Sequence, residues 1–437
     1  MRAFKPARRG PYLLSLAVLA LLSACGGGGD SKEEDKHSHA DHSIDTAGRL
    51  AVAEKGSAVL RVHDLDSATL QASSFTLDDA PSGLYTSPGG RYVLAAQRNK
   101  DQLQFIDGGV WQENHGDHLH DYKQAAKALT WKLAGARPTH VDVQPGKQVA
   151  VFMDGNATSQ PVQNAAVRLL SDASIASGSL LASLDLAAPI HGLAEPLDNK
   201  LLVVHRAADA GDSLPTHLQL YQREGSAYRV DRLLATRCDG MHGSASSGKY
   251  TVAGCKDGVL LAKHMDASTV LDSKLSAPLR ISTLAGHAKL PGQFIGIGSE
   301  GAAPGPVTTR FFAIDAEAGS VSPLLPKDWA EGRVRRAHAF DRSGTRLFLL
   351  DDLGTLTVMQ RQGNAWVHAA RLPAAIATMP TAAPWPAMVA NGAKDEIYLS
   401  DPQASQLLVL DSSKAELKAR RALGYVPAAL TWTGISR

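Results

Sequence analysis

Short apolar runs alternate with turn sequences along most of the chain. In residues 83–94, for example, Gly-Leu-Tyr-Thr is followed by Ser-Pro-Gly-Gly-Arg and then Tyr-Val-Leu. This pattern predicts β-strands joined by tight turns. The unit recurs every 40 to 57 residues or so from residue 49 onward, a period typical of propeller blades. The sequence therefore predicts an all-β fold, a β-propeller that occupies residues 49–437.

The number of blades follows from the predicted inner strands. These begin near residues 83, 140, 191, 242, 280, 338, 386 and 427. They predict eight blades, with seven as the alternative because the copies near 280 and 386 are less regular. Residues 427–432 resemble an inner strand with nothing after it, and residues 49–53 resemble a second strand with nothing before it. Pairing of these N- and C-terminal strands would complete one blade and remove two exposed edges.

The first residues resemble an export signal. Residues 1–24 combine four early basic residues with an apolar run at 12–22 that is too short to span a bilayer, and they end in Leu-Ser-Ala before Cys25. This ending resembles a bacterial lipobox, in which the cysteine is lipidated. We therefore expect a periplasmic protein anchored to a bacterial membrane through a lipid on Cys25; the alternative is an ordinary cleaved signal peptide.

Residues 25–48 are predicted to be a flexible, His-rich tether, since they contain too few apolar side chains to form a core. Within them, His37, His39 and His42 form a His-x-His-x-x-His pattern. A flexible chain can turn each of these imidazoles toward one ion, so we expect a mobile metal site. The alternative is a soluble spacer with chance histidines.

Four histidines share one position in the repeat, at the start of a predicted inner strand. They are His140, His191, His242 and His338. In a propeller, the first residues of the inner strands surround one mouth of the central channel, so these imidazoles are predicted to converge there. Neutral imidazoles around a common point suit zinc. A single histidine at such a position is more often a core residue, but four at one repeat position favour a metal site.

A second group of histidines lies in an insertion after a predicted third strand. Its candidate ligands are His115, Asp117, His118 and His120. In an extended loop the last two imidazoles can face one ion, and the carboxylate can bind it or accept a hydrogen bond from a ring. We expect this loop to fold over the same channel mouth; the alternative is an exposed polar loop. The other histidines are interpreted as structural.

Cysteine content and charge narrow the function further. Cys238 and Cys255 flank a predicted strand-turn-strand segment, and in an oxidising compartment we expect them to form a disulfide. The net charge is only +2, with 45 basic and 43 acidic residues and no basic run beyond the first ten positions. Nucleic acid is therefore not an expected partner.

Taken together, these groups resemble one known family. An exported propeller with a flexible His-x-His-x-x-His tract, a His-Gly-Asp-His-x-His loop and histidines at the channel mouth is similar to the AztD-type periplasmic zinc metallochaperones. The resemblance implies zinc as the bound metal, no enzymatic activity, and delivery of the metal to the solute-binding protein of a zinc ABC importer. It implies ligation among the channel and loop histidines and a mobile second site at His37, His39 and His42.

Other classes remain open from the residues alone. A zinc-dependent hydrolase would use three histidines and leave one coordination position open, and a propeller can also act purely as a protein-docking scaffold. No Gly-x-Ser-x-Gly sequence is present to supply a serine nucleophile. Copper or nickel can replace zinc at imidazole ligands, because the sequence does not specify a geometry.

Overall fold

In this computed structural model, residues 41–266, 269–302 and 304–437 are described, and their regular structure is almost entirely antiparallel β-strand in groups of four. Group 1 contains β1 (Arg49–Glu54), β2 (Val59–Asp64) and β3 (Ala72–Thr76). Group 2 contains β4 (Gly83–Thr86), β5 (Tyr92–Gln97) and β6 (Gln102–Asp107), then a separate hairpin of β7 (Val110–Asn114) and β8 (Leu119–Lys123), and finally β9 (Lys127–Ala134). A short 3-10 helix (Arg98–Lys100) follows β5.

The middle of the chain continues this order. Group 3 contains β10 (Pro138–Gln144), β11 (Gln148–Met153), β12 (Ala166–Leu170) and, after helix α1 (Asp172–Ser177), β13 (Ala182–Asp185). Group 4 contains β14 (Ala194–Leu197), β15 (Lys200–His205), β16 (His217–Glu224) and β17 (Ala227–Leu233). Group 5 contains β18 (Ser244–Ser247), β19 (Tyr250–Cys255), β20 (Gly258–His264) and β21 (Val270–Ser276). A single bridge between Ser183 and Ala227 joins groups 3 and 4 into one eight-stranded sheet.

The remaining strands complete the series. Group 6 contains β22 (Ile281–Gly286), β23 (Gln293–Glu300), β24 (Thr308–Asp315) and β25 (Ser320–Leu324). Group 7 contains β26 (Arg335–Phe340), β27 (Arg346–Asp351), β28 (Leu356–Gln362) and β29 (Ala365–Leu372). Group 8 contains β30 (Met388–Ala390), β31 (Glu396–Asp401), β32 (Gln406–Asp411) and β33 (Glu416–Ala422). The last strand, β34 (Pro427–Thr433), joins group 1 beside β1.

Burial decreases from the second strand of a group to its outermost strand. Every residue of β5 and β11 is buried, whereas β17 and β33 are mostly exposed. The buried strands are apolar on both faces because each sheet packs between two neighbours. Tyr92 and Phe105 of group 2, for instance, share a core with Val149 and Met153 of group 3. The hydrophobic core therefore consists of layers between successive sheets.

First strands of neighbouring groups also contact one another. β10 contacts β14, β14 contacts β18, β18 contacts β22, β26 contacts β30, β30 contacts β34, and β34 contacts β4. This order is that of a β-propeller, in which the first strand of each sheet lines a central channel. The all-β prediction is confirmed, and a strand starts within a few residues of each predicted inner strand.

The expected pairing of the terminal strands is present. β34 runs antiparallel to β1, with Trp432 opposite Leu50 and Thr431 opposite Ala51. The indole Nε1 of Trp432 donates a hydrogen bond of 2.8 Å to the carbonyl of Ala47. Group 1 is thus built from both ends of the described chain.

The compact unit begins at residue 41 rather than at residue 49. Thr46 and Ala47, predicted to lie in the tether, are buried, and the Thr46 hydroxyl and the Ala47 amide both donate hydrogen bonds to Asp66. The predicted signal peptide (1–24), the lipidation site Cys25 and the candidate ligands His37 and His39 lie outside the described residues. Within the described part of the chain, no helix has the length and apolar character to span a membrane.

Replacing Trp432 by Ala should strongly destabilise the fold. The side chain is only 6% exposed and packs in a core with Leu50 and Tyr398. Truncation of such a residue costs about 3–5 kcal/mol in the free energy of unfolding. Leu325→Ala is the matched control, since this leucine is 77% exposed and should cost less than about 0.5 kcal/mol. Equal unfolding free energies for both variants in urea titrations would show that the terminal pairing does not stabilise the domain.

Candidate metal centre

Three of the four predicted channel histidines come together. His140 is the third residue of β10, while His191 and His242 precede β14 and β18. The ring centroids are 5.2 Å apart for His140 and His191, 5.5 Å for His191 and His242, and 5.9 Å for His140 and His242. One ligand atom from each ring lies within 4.8 Å of the other two. We call these residues the histidine triad.

Neighbouring groups hold two of the triad rings in defined orientations. His191 Nδ1 lies 3.0 Å from Asp154 Oδ2, and His242 Nδ1 lies 3.0 Å from the carbonyl oxygen of Ser282. Both oxygens can only accept a hydrogen bond, so each Nδ1 carries the proton and donates it, and each Nε2 keeps its lone pair. A carboxylate or carbonyl behind a metal-binding imidazole is the usual arrangement in zinc proteins. His191 and His242 are therefore organised for ligation through Nε2.

Electrostatics favour the neutral form of the third ring. The pKa of His140 is lowered to about 4, first by burial and then by the nearby rings of His191 and His242. An imidazole must be neutral to bind a metal ion. His140 is therefore ready for ligation at any pH near neutrality.

His338 does not join the triad, so the predicted convergence of four imidazoles is realised by three. The number of residues from His338 to the turn glycine Gly344 equals that from His140 to Gly146. The turn after β26 is nevertheless longer than the turn after β10. Strand pairing ends at Phe340 and Leu347 there, and at Gln144 and Gln148 after β10. Because His338 lies two residues from its strand end and His140 lies four, His338 sits deeper along the channel.

The surroundings of His338 also disfavour a cation. The Nη1 atom of Arg335 lies 2.9 Å from His338 Nδ1, and a guanidinium only donates, so it occupies this lone pair. Burial lowers the pKa of His338 to about 3, with a further contribution from Arg335. This histidine is a neutral hydrogen-bond acceptor for a half-buried arginine.

A pair of carboxyl groups that the sequence reading missed lies one level below the triad. Asp142 is two residues beyond His140 on β10 and therefore on the same face. Burial raises its pKa, and the nearby Glu195 of β14 raises it further. Glu195 accepts a hydrogen bond of 2.8 Å from Ser246 of β18. The His-x-Asp sequence at 140–142 was the only local feature of the sequence that could have predicted this carboxyl pair.

The predicted disulfide is present between Cys238 and Cys255. It closes the segment that contains His242, whose amide donates a hydrogen bond of 3.0 Å to the carbonyl of Gly254. The residue next to the disulfide thus binds the backbone of a triad member. The cross-link holds this histidine in place in addition to stabilising group 5.

The second predicted group of histidines also assembles, on the β7–β8 hairpin. The ring centroids of His115 and His118 are 5.3 Å apart, and those of His118 and His120 are 4.8 Å apart. Asp117 Oδ1 lies 2.6 Å from His118 Nδ1. His42, from the predicted mobile tract, adds a fourth ring 5.5 Å from that of His120. We call these four imidazoles the hairpin cluster.

Backbone hydrogen bonds place His42 in the hairpin cluster. Its amide donates to the carbonyl of Leu119, and its own carbonyl accepts from the amide of Asp121, both at 2.9 Å. The Asp41 carboxylate accepts a hydrogen bond of 2.8 Å from the Leu119 amide. Partial desolvation lowers the pKa of His120, and the three neighbouring imidazoles lower it further. The sequence predicted both sets of histidines but not their contact.

The hairpin cluster and the triad lie at opposite ends of the channel strands. The turn after β10 meets the turn after β4, since the Gly146 amide donates to the Pro88 carbonyl. The hairpin leaves group 2 after Asp107, which pairs with Tyr92, the first residue after that same turn. His140 lies near the other end of β10. The expectation that this loop covers the histidine mouth is therefore wrong.

Comparison with known proteins finds proteins that this chain resembles in sequence and in fold. No family model matches the sequence. The chain is 30% identical over 228 residues to a Citrobacter koseri protein named zinc chaperone AztD, and the match covers 52% of this chain and 50% of the relative. The chain thus matches about half the length of this curated relative.

Solved structures show the same fold at lower identity. The crystal structure of Citrobacter koseri AztD gives a TM-score of 0.70 at 22% identity, covering 89% of this chain and 99% of that one. The apo form gives 0.68 at 20% identity with the same coverage. The dihydro-heme d1 dehydrogenase NirN gives 0.57 at 15% identity, covering 90% of this chain and 77% of that one. The predicted resemblance to the AztD-type proteins is confirmed.

Three histidines with lowered pKa values should make the metal-free protein less stable as the pH drops from about 6.5 toward 4. The pKa values of His140, His264 and His338 are lowered, mainly by burial, to about 4, 4 and 3, against about 6.5 in an unfolded chain. In this window these imidazoles bind protons in the unfolded chain but not in the folded one, so their contribution to the free energy of unfolding decreases with falling pH, whereas the raised pKa of Asp142 acts in the opposite direction. Urea unfolding at several pH values measures this dependence.

The variant His338→Gln tests one contribution to this pH dependence. Glutamine keeps an acceptor for Arg335 but does not titrate, so the loss of stability between pH 7 and pH 5 should be smaller than in the wild type. Lys55→Gln, at an exposed turn of group 1, should retain the wild-type pH dependence. If His338→Gln also retains it, burial of this imidazole does not contribute to acid sensitivity.

Proposed function

We propose that this chain, which is related to the AztD-type zinc chaperones, is a periplasmic metallochaperone that binds Zn²⁺ and passes it to the solute-binding protein of a zinc ABC importer. The observation that carries the proposal is the histidine triad, in which two of the three rings are oriented by an acceptor behind Nδ1. The name of the matched relative supports zinc over copper or nickel. The chain is not proposed to act on nucleic acid or to catalyse a reaction.

The geometry of the triad suits a metal that must be released. Ligand nitrogens around tetrahedral zinc are roughly 3.3 Å apart, and the triad atoms, within 4.8 Å of one another, reach this separation through small side-chain rotations. Three imidazoles leave the fourth position of zinc open. An incoming ligand from an acceptor protein can bind there before the imidazoles dissociate, which gives a route for transfer.

We propose the hairpin cluster as a second zinc site. His42, His115, His118 and His120 supply four imidazoles, and Asp117 lies behind His118 as Asp154 lies behind His191. Exposed ligands can be exchanged readily, so this site suits capture or delivery of metal at the surface. His37 and His39 remain proposed members of a mobile site that continues in sequence from His42.

Finer features of the fold belong to the same proposal. The strand groups are interpreted as eight blades in a closed ring, supported by the β1–β34 pairing and by the contacts between successive first strands. A signal peptide at 1–24 would export the protein to the periplasm. A lipid on Cys25 would then anchor it to a bacterial membrane. A zinc hydrolase is the runner-up, because three imidazoles with an open position also occur in catalytic sites.

Replacing His140 and His242 together by Ala should abolish tight zinc binding in the channel. Each substitution removes one of three ligands, and a single remaining imidazole cannot hold the ion tightly. His338→Ala is the matched control, because this residue lies on an inner strand outside the triad; it should retain channel zinc. Metal content and competition titrations are measured in a background with His37, His39, His42, His118 and His120 replaced by Ala, so that only channel zinc is counted.

The opposite pattern would exclude the triad as the zinc site. If the His140/His242 variant keeps zinc with unchanged affinity while His338→Ala loses it, the ion lies deeper in the channel. Circular dichroism of each variant shows whether the fold is retained.

Removing residues 35–42 should leave zinc affinity at the triad nearly unchanged but alter transfer from the hairpin cluster. The deletion removes His42 from that cluster, and the triad lies at the other end of the channel strands. A matched variant replaces His37, His39 and His42 by Ala and keeps the chain length. The rate of zinc transfer to an acceptor protein, measured by stopped flow, should change by a similar factor in both variants. If both variants transfer zinc at the wild-type rate, the tract takes no part in transfer and acts only as a spacer.

A further inference from the structure

A cavity of about 900 Å³ lies apart from both groups of histidines. It opens at the turns that follow the first strands of groups 3, 4 and 5, where Gln144, Asp198 and Gly248 line it. These turns lie at the end of β10 opposite the triad. Volumes of this size accommodate small organic ligands or ions with their hydration water.

Two cationic side chains in this cavity have polar atoms without a protein partner. Lys200 is only 4% exposed, and its Nζ has no hydrogen-bond partner in the described part of the chain. The same holds for Nη1 of Arg223. Both residues line the cavity. A buried ammonium group without a compensating partner is strongly unfavourable, so a ligand that supplies negative charge would relieve the cost.

The other charged groups of the cavity are already engaged. The Lys147 ammonium donates to Asp198, which also accepts from the Gln144 amide. Lys249 lies 3.6 Å from Glu317, and Asp266 accepts a hydrogen bond from the amide of Thr269. Among the lysine and arginine side chains that line the cavity, Lys200 and Arg223 are the two without a carboxylate partner in the described part of the chain.

We propose that this cavity binds a small oxyanion, a phosphate or carboxylate group, whose oxygens accept hydrogen bonds from Lys200 Nζ and Arg223 Nη1. Guanidinium and ammonium groups bind such oxygens through short, charge-assisted hydrogen bonds. Ser171 also lines the cavity, and its hydroxyl, which accepts a hydrogen bond from the Ser174 amide, keeps its own proton to donate. The site requires no metal and does not depend on the zinc-binding proposal.

The test uses the intact, metal-free protein at constant ionic strength. Calorimetric titration and thermal unfolding are followed with sodium phosphate in one arm and sodium succinate in the other, against sodium chloride as reference. One or both oxyanions should bind and raise the melting temperature, and the arm with the larger effect identifies the preferred group. Lack of any stabilisation beyond chloride in both arms would overturn the proposal.

Substitutions locate the binding. Lys200→Met keeps the length of the side chain but removes its charge, and should weaken oxyanion binding at least about tenfold, since hydrogen bonds to charged groups are the stronger class. Arg223→Gln, at a half-buried position, should act in the same direction and serves if the Lys200 variant fails to fold. Lys55→Met is the control and should bind as the wild type. Undiminished binding in Arg223→Gln and in any folded Lys200→Met protein would place the anion elsewhere.

Discussion

The pairing of β34 with β1 constrains more of this protein than one sheet. Next to it, Trp432 binds the carbonyl of Ala47, which fixes the segment that leads back to His42. On the other side of the pairing, the chain continues to Arg437, whose guanidinium forms an ion pair with Asp121 of the β7–β8 hairpin. The segment before β1 and the residues after β34 thus both contact the hairpin. The hairpin cluster therefore depends on the same pairing that completes the first sheet.

The triad depends on a different constraint, the adjacency of β10, β14 and β18. Each of these strands carries a histidine at or just before its start, so three rings meet where three sheets meet. Their acceptors come from further elements: Asp154 follows β11, and Ser282 lies in β22 of the next sheet. Strand groups 3, 4, 5 and 6 thus contribute to the histidine triad and its acceptors. The triad therefore requires the packed arrangement of these groups rather than any local motif.

Much of this arrangement could be predicted from periodicity, because apolar runs and turn glycines follow the strand geometry directly. The position of a side chain along the channel axis could not be predicted in this way, because it depends on the length of the turn that follows the strand. His338 has the same spacing to its turn glycine as His140 yet lies deeper, because the turn after β26 holds more residues. The contact between His42 and His120 joins residues far apart in sequence, and only the packed chain reveals it.

The two histidine groups are too far apart to share one metal ion. Four residues of strand separate His140 from its turn, roughly 13 Å, and the hairpin joins its sheet two or three strands out from the channel, roughly 10–14 Å. Because these two displacements are at right angles, the groups lie roughly 16–19 Å apart, whereas two nitrogens on one zinc ion are roughly 3.3 Å apart. In the proposed function the two groups are therefore separate sites, and an acceptor protein that draws on the triad approaches the mouth where β10, β14 and β18 begin.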